Sequence, residues 1–405
     1  MNLHWFFSKT VRQATAMRKH VQKLVNHQRD ILTPAALEGI KSATGALAEA
    51  VRKNADKATL EKEMEGLEKA ANKWLKPFPN AGLRENIEVL LVALTVAMGI
   101  RTFFLQPFKI PTGSMQPTLF GVTSENLLKN PDFRIPTGWE RVREWFAGVS
   151  YIHVVAQNDG ELEWESPLKL AIFNIKQTLW IGGQAQKTIW FPPDYGAPPT
   201  GTLEARASLE RHRFYHRGEE VVKLRVRAGD HLFVDRISYN FRAPKRGEIV
   251  VFDTHGIDRL PIDQQNTFYI KRLVGLGGET LRLQPDYNLV GSFGQYPVGH
   301  LVVNGTPLSA TTPHFQNLYT FTGATRNTRE LQYHENQYFG HALLERLAPG
   351  QEFQVSPHHY FVMGDNTMNS SDSRYWGDFP EEKVIGKSFF VYWPLTERFG
   401  WGYSR

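Results

Sequence analysis

Residues 87–105, Ile-Glu-Val-Leu-Leu-Val-Ala-Leu-Thr-Val-Ala-Met-Gly-Ile-Arg-Thr-Phe-Phe-Leu, constrain the fold of this chain more than any other stretch. As a helix they extend about 28 Å at about 1.5 Å per residue, close to the thickness of a bilayer's hydrocarbon core. The uninterrupted apolar centre, Val89–Ile100, also suits a buried helix in a soluble protein. Two details favour the membrane. Arg101 is followed by Phe103 and Phe104, which suits a snorkelling cation beside interfacial rings. The preceding flank carries Lys73, Lys76 and Arg84.

The charge distribution gives this helix an orientation. The chain has a formal net charge of +6, and residues 1–86 supply all of it, with 15 Lys+Arg against 9 Asp+Glu. A basic segment directly before an apolar helix reads as a cytoplasmic flank. The expected layout is a cytoplasmic helical region (1–84), a transmembrane helix (85–105) and everything after Leu105 outside. A nucleic-acid partner would call for a basic patch with interleaved aromatics on a folded domain, and the sequence offers none. The absence of cysteine excludes disulfides, thiol nucleophiles and thiolate metal sites. The 14 histidines form neither an HExxH motif nor a cluster with ligand spacing, so no metal and no cofactor is expected.

In the N-terminal region, Leu3-His4-Trp5-Phe6-Phe7 precedes a basic helix (Lys9, Arg12, Arg18, Lys19, Lys23) suited to lying on membrane lipid or to being simply solvated. Thr33-Pro34 is a helix start. Leu37, Ile40, Thr44, Leu47 and Val51, then Leu60, Met64, Leu67, Ala71 and Trp74, recur at helical spacing until Pro77 and Pro79. The pattern predicts an intramolecular helical hairpin, with a helix–helix partner as the alternative.

From residue 106 the texture changes to short β-rich runs separated by Gly, Pro and Asn. Examples are Glu248–Phe252, Phe268–Ile270, Leu301–Val303, Tyr360–Val362 and Phe389–Trp393. No helical pattern alternates with them, so the expected fold is a mainly β domain. It should be antiparallel and barrel- or sandwich-like, with an N-terminal helical region and one transmembrane helix. The domain divides into a proline-bracketed segment (106–122), an inserted Trp-rich subdomain (123–226) and a β domain (227–395). The β domain has its own insertion around 284–358, and a tail (396–405) follows. The five tryptophans of 123–226 are expected to form that subdomain's core, with contact to membrane or substrate as the alternative.

Within Gln106–Gly121, Pro111 and Pro117 stiffen the chain on either side of Gly113-Ser114. The stretch reads equally well as a linker until Ser114 has a partner. No histidine sits in a catalytic-looking motif, and Pro117 three residues on rules out the Ser-x-x-Lys arrangement. A lysine can serve if burial among apolar groups keeps it neutral. Lys271, within Phe268-Tyr269-Ile270-Lys271-Arg272-Leu273-Val274-Gly275, has such neighbours and no acid before Glu279. A third stretch, Gly364–Gly377, is dense in short hydrogen-bonding side chains, the composition of a loop that holds a geometry.

Together these stretches resemble the bacterial type I signal peptidases. Gly113-Ser114-Met115 with Pro117-Thr118-Leu119 is similar to the family's nucleophile box, and Gly229-Asp230-His231 through Val234 to its next β box. Tyr269–Arg272 with Val274-Gly275-Leu276 is similar to the lysine box. Gly364-Asp365-Asn366 through Ser370 and Asp372–Gly377 is similar to the last box. The resemblance covers roughly 85–121 and 227–395. It implies a serine endopeptidase of the bacterial inner membrane, single-pass, acting on signal-peptide-bearing preproteins. It further implies Ser114 as nucleophile, Lys271 as general base, and an oxyanion hole from the Ser114 N–H and the Thr112 hydroxyl. Ser370 would orient the lysine, and Asp372 with Arg374 would brace the loop. Phe108, Ile110, Met115, Leu119, Tyr269 and Ile270 would contact substrate. Thr367-Met368 departs from the charged pair common in the last box and supports the alternative, a catalytically inactive peptide-binding or envelope-interaction protein. A soluble self-cleaving repressor of related fold is disfavoured by the membrane helix.

Overall fold

The computed structural model describes residues 8–76, 80–130, 132–170, 173–192, 202–291, 294–319 and 340–401. The aromatic tip at 3–7, the stops at Pro77 and Pro79, most of the Pro-rich run (193–200) and the end of the tail (402–405) lie outside the described residues. Two compact units are present, Met1–Thr95 and Val96–Arg405.

The first unit contains three packed helices. Helix α1 (Lys9–Gln28) is capped by Ser8, and α2 (Pro34–Arg52) by Thr33, whose side chain accepts from the Ala36 N–H. Helix α3 (Lys57–Trp74) follows a break at Asn54–Asp56. The apolar positions expected for a hairpin are buried: Ile40 and Leu47 of α2 meet Leu67 of α3. Ala14 and Val21 of α1 join the same core, so a third helix closes the hairpin. At the open end, Gln28 exchanges two bonds with the Lys76 backbone, 2.8 and 3.0 Å. Helix α4 (Ala81–Phe103) follows. Over Gly82–Phe103 its mean hydropathy is 1.6 and none of it is buried. Among the described residues it is the one helix long and apolar enough to cross a membrane.

The second unit is built on antiparallel β structure. Its main sheet uses β1 (Leu105–Lys109), β2 (His231–Asp235), β3 (Ile249–Asp253) and β4 (Phe268–Gly275). A long hairpin follows, β5 (Thr280–Gly291) and β6 (Gly294–Val303), then β7 (His341–Ala342) and β8 (Glu352–Gln354). Strands β9 (His359–Met363), β10 (Phe379–Pro380), β11 (Val384–Trp393) and β12 (Gly400–Trp401) complete the set. The main sheet runs β1-β2-β11-β3-β4-β9-β10, with β12 beside β11. It curls. Phe108 on the β1 edge and Phe268 on β4, with three strands between them in the order, meet edge to face at 5.6 Å between ring centroids. One apolar cluster fills the curl with Ile110, Met115, Leu119, Leu232, Val234, Val251 and Val391. The hairpin β5–β6 forms a second sheet with β7 and β8.

The insertion leaves and returns through paired strands, Thr123–Asn126 against Glu220–Arg227, with Thr123 opposite Arg227. Its core is aliphatic (Ile152, Val154, Leu162, Leu179, Ile181, Val222, Leu224), contrary to the expected tryptophan core. Strand alternation turns aliphatic positions such as Leu179 and Ile181 inward and Trp180 away from them, while Trp139 and Trp145 lie on a helix outside this core. Trp164 leans on the core's edge under the Arg211 guanidinium, and Trp139 and Trp190 are exposed. Trp145, on helix α5 (Gly138–Phe146), packs against Trp393 of β11 at 4.9 Å. Gly148 backs onto Pro394 so closely that a Cβ there would sit 2.7 Å from the proline ring.

Candidate active site

The segment after β1 is a turn closed at its neck. The Ile110 N–H donates to the Asp230 carbonyl at 2.9 Å, and the Val122 N–H to the Pro111 carbonyl at 3.2 Å. Gly121 crosses directly behind Thr112, where a Cβ would lie 2.2 Å from the Thr112 carbonyl atoms; only glycine fits. Asp230, fully buried, holds this crossing in place. Its carboxylate accepts the Phe120 N–H at 2.8 Å and the Arg398 Nε at 3.1 and 3.2 Å. The Arg398 guanidinium also covers the Phe120 ring at 4.0 Å. The result is a stiff platform carrying Ser114.

Strand β4 supplies the other group. Lys271 lies opposite Val250 of β3, and its Nζ donates to Ser114 Oγ at 2.6 Å. Both side chains are buried, Ser114 at 7% and Lys271 at 4% exposure. Burial disfavours the ammonium and pushes the Lys271 pKa down to about 8. The Asp372 and Asp365 charges oppose that fall, and Arg374 assists it. The Tyr269 ring lies 5.2 Å from Nζ.

The loop after β9 closes the site from behind. Asn366 donates its backbone N–H to the Ser114 carbonyl at 3.1 Å and its Nδ2 to the Gly113 carbonyl at 2.9 Å. Gly364 is wedged between Ser370 and Ser114; a Cβ there would lie 2.2 Å from Ser370 Oγ and 2.5 Å from the Ser114 carbonyl. Asp372 caps the short helix Ser373–Trp376, accepts the Gly364 N–H at 3.0 Å, and takes Arg374 Nε and Nη2 at 2.9 and 2.8 Å. Burial pushes its carboxyl pKa up, but the adjacent Arg374 and these bonds hold it below the usual carboxylate value. A second buried pair, Arg272 with Asp365, also receives the Thr118 hydroxyl at 2.5 Å.

The residues expected at a site are therefore placed as follows. Ser114 and Lys271 are in hydrogen-bond contact, and Asp372 and Arg374 pair within the loop. Thr112 is exposed at the start of the turn. Ser370 Oγ is buried beside Gly364 and near the Asp372 carboxylate, and no bond from it to Lys271 is seen. Phe108, Tyr269 and Ile270 are partly exposed beside the site. Ile110, Met115 and Leu119 are buried in the core cluster rather than open beside the site. Sequence reasoning quoted Thr118, Arg272, Asp365 and Asn366 inside the boxes without giving them a role. Their ties are long-range contacts with no local signature. Asp230 and Arg398, 168 residues apart, belong with them.

Comparison with known proteins bears on the same strands. Residues 215–393 match the family model described as signal peptidase, peptidase S26. Over this region the chain is similar to the signal peptidases of that family. A probable signal peptidase I-2 from Synechocystis sp. is 30% identical over 173 residues, 42% of this chain and 58% of that protein. Signal peptidases I from Pseudomonas fluorescens and Pseudomonas aeruginosa are each 30% identical, over 195 and 197 residues, covering 60% and 62% of those proteins. The chain thus spans less than two thirds of the length of these relatives. The S26 match contains Lys271 and the 364–377 loop; Ser114 lies upstream of it, beyond the insertion.

Proposed function

We propose that the chain is a membrane-anchored serine endopeptidase that removes N-terminal signal peptides from exported precursors after a small-x-small site. The observation that carries this reading is the 2.6 Å bond between Ser114 Oγ and a buried Lys271 whose pKa is pushed down to about 8. A neutral lysine accepts the hydroxyl proton as Ser114 Oγ attacks the scissile carbonyl. The resulting ammonium returns that proton to the leaving amine, and the acyl group stays on Ser114. Water then attacks the ester, with Lys271 again taking and returning a proton. The oxyanion is met by the Ser114 N–H and the Thr112 hydroxyl. Ser370 orients the lysine once substrate closes the site.

The precursor docks as an extended strand between Phe108–Ile110 and Tyr269–Ile270. These segments face each other across the curl, and β9 pairs with β4 only from Arg272 onward. The proposed limit to alanine-sized side chains is supported by Met115 and Leu119, which are wholly buried in the core beside Ser114. Helix α4 anchors the enzyme, with its basic flank on the cytoplasmic side. Incubating the full chain with a precursor bearing an Ala-x-Ala site tests the reading. Wild type is expected to release the mature fragment and Ser114→Ala to leave the precursor intact; equal inactivity of the two on every precursor sinks it.

A further inference from the structure

Asn366 and Thr367 face in opposite directions. Asn366 holds the carbonyls of Gly113 and Ser114, the first in the peptide unit that carries the candidate nucleophile's N–H and the second in the unit after it. Thr367, 4% exposed, faces the second sheet. Its hydroxyl oxygen accepts the backbone N–H of Ala342 and also Arg374 Nη1 at 3.2 Å. Its carbonyl accepts Arg374 Nη2 at 2.9 Å, and Arg374 Nη1 donates to the Ala342 carbonyl at 3.0 Å. Ala342 lies on β7, which pairs with β6 through Val298↔Ala342 and Gly299↔His341. The long hairpin β5–β6 is thereby joined to the loop that grips Ser114 by the Thr367 hydroxyl together with the Arg374 guanidinium. The sequence departs at this position from the charged residue common in the family, and the departure is filled by a buried, double-accepting oxygen. Valine has the same shape but no acceptor. It would leave the buried Ala342 N–H unpaired and take one partner from Arg374.

We infer that Thr367 is a positioning residue for Ser114. By tethering the loop to β7 it fixes the neighbouring Asn366, and Asn366 in turn aims the Ser114 N–H and Oγ. Thr367 touches neither substrate nor the reacting atoms. The inference rests on the peptidase reading for its kinetic part only.

The test uses the full chain with Thr367→Val and Thr367→Ser. The expected kcat for precursor cleavage falls about tenfold in Thr367→Val, with KM unchanged, and is restored in Thr367→Ser, which keeps the acceptor. Backbone hydrogen exchange provides a readout independent of turnover. Exchange over residues 112–118 and 341–344 is expected to quicken in Thr367→Val but not in Thr367→Ser, with residues 249–253 unchanged. Wild-type kcat together with wild-type exchange at 112–118 in Thr367→Val overturns the inference. So does a Thr367→Ser variant as impaired as Thr367→Val. If wild type itself cleaves nothing, the peptidase reading fails, while the exchange comparison still judges the tether. Should Thr367→Val fail to fold by near-ultraviolet circular dichroism, Thr367→Ala replaces it under the same criteria.

Discussion

Arg272 and Asp365 meet as a wholly buried two-bond ion pair, with Nε and Nη2 at 2.7 and 2.6 Å from the two carboxylate oxygens. The pair ties together three parts of the fold, since Arg272 is on β4, Asp365 opens the 364–377 loop, and the same carboxylate takes the Thr118 hydroxyl of the nucleophile turn. Breaking such a pair from one side leaves an uncompensated buried charge, at a cost of roughly 3–5 kcal/mol. Arg272→Met is therefore expected to lower stability by about 3 kcal/mol, read as a fall in the urea midpoint. An unchanged midpoint would show that the pair does not hold this corner.

The pH dependence follows from Lys271. Its pKa lies at about 8 in the folded chain, below the usual lysine value, because burial penalises the ammonium. The base works only when neutral, so kcat/KM is expected to be low in acid and to rise through about pH 8 to a plateau. Lys271→Arg, which stays protonated, is expected to be inactive at every pH. A flat profile between about pH 6 and 9 removes Lys271 as the general base.

Asn366→Ala keeps the backbone bond to Ser114 and deletes the Nδ2 bond to the Gly113 carbonyl. One lost bond at a positioned peptide is worth roughly 1 kcal/mol, so kcat is expected to fall about five- to tenfold at nearly constant KM. A rise in KM with kcat intact would place the residue in substrate binding instead.

Arg398→Met removes the guanidinium from a fully buried Asp230 carboxylate and from the Phe120 ring. A loss of about 2–3 kcal/mol is expected, together with faster exchange at the Phe120 amide. The control is Lys69→Ala, which breaks an exposed pair with Glu65 on α3 and is expected to leave the urea midpoint unmoved. Equal effects from the two variants would count against the burial argument.

How much of this was legible in the sequence depends on whether the controlling interaction is local. The cap at Thr33, the helical periodicity of Ile40 and Leu47, and the strand around Lys271 follow from neighbours a few residues apart. The boxes drew attention to Ser114 and Lys271, and the structure sets them at bonding distance. The insertion's tryptophans were misread as core because composition reports how many large rings a segment has, not which face of a strand they occupy. The bond from Asn366 to Gly113 spans 253 residues, and that from Asp230 to Arg398 spans 168; no periodicity encodes either. Thr367 is a particular case. As a departure from a family pattern it pointed to a weakened site, whereas its burial against Ala342 makes it part of the frame.

The paired strands that open and close the insertion also bear on how the chain reaches its fold. Ser114 and Lys271 are 157 residues apart in sequence. Once Thr123–Asn126 zips against Glu220–Arg227, more than half of that separation is short-circuited. The entropy of bringing two ends together grows with the logarithm of the free chain between them, so the intervening module adds only about 1 kcal/mol to the search. A module with such a self-sealing base can be lengthened, shortened or exchanged with little effect on how readily Ser114 finds Lys271.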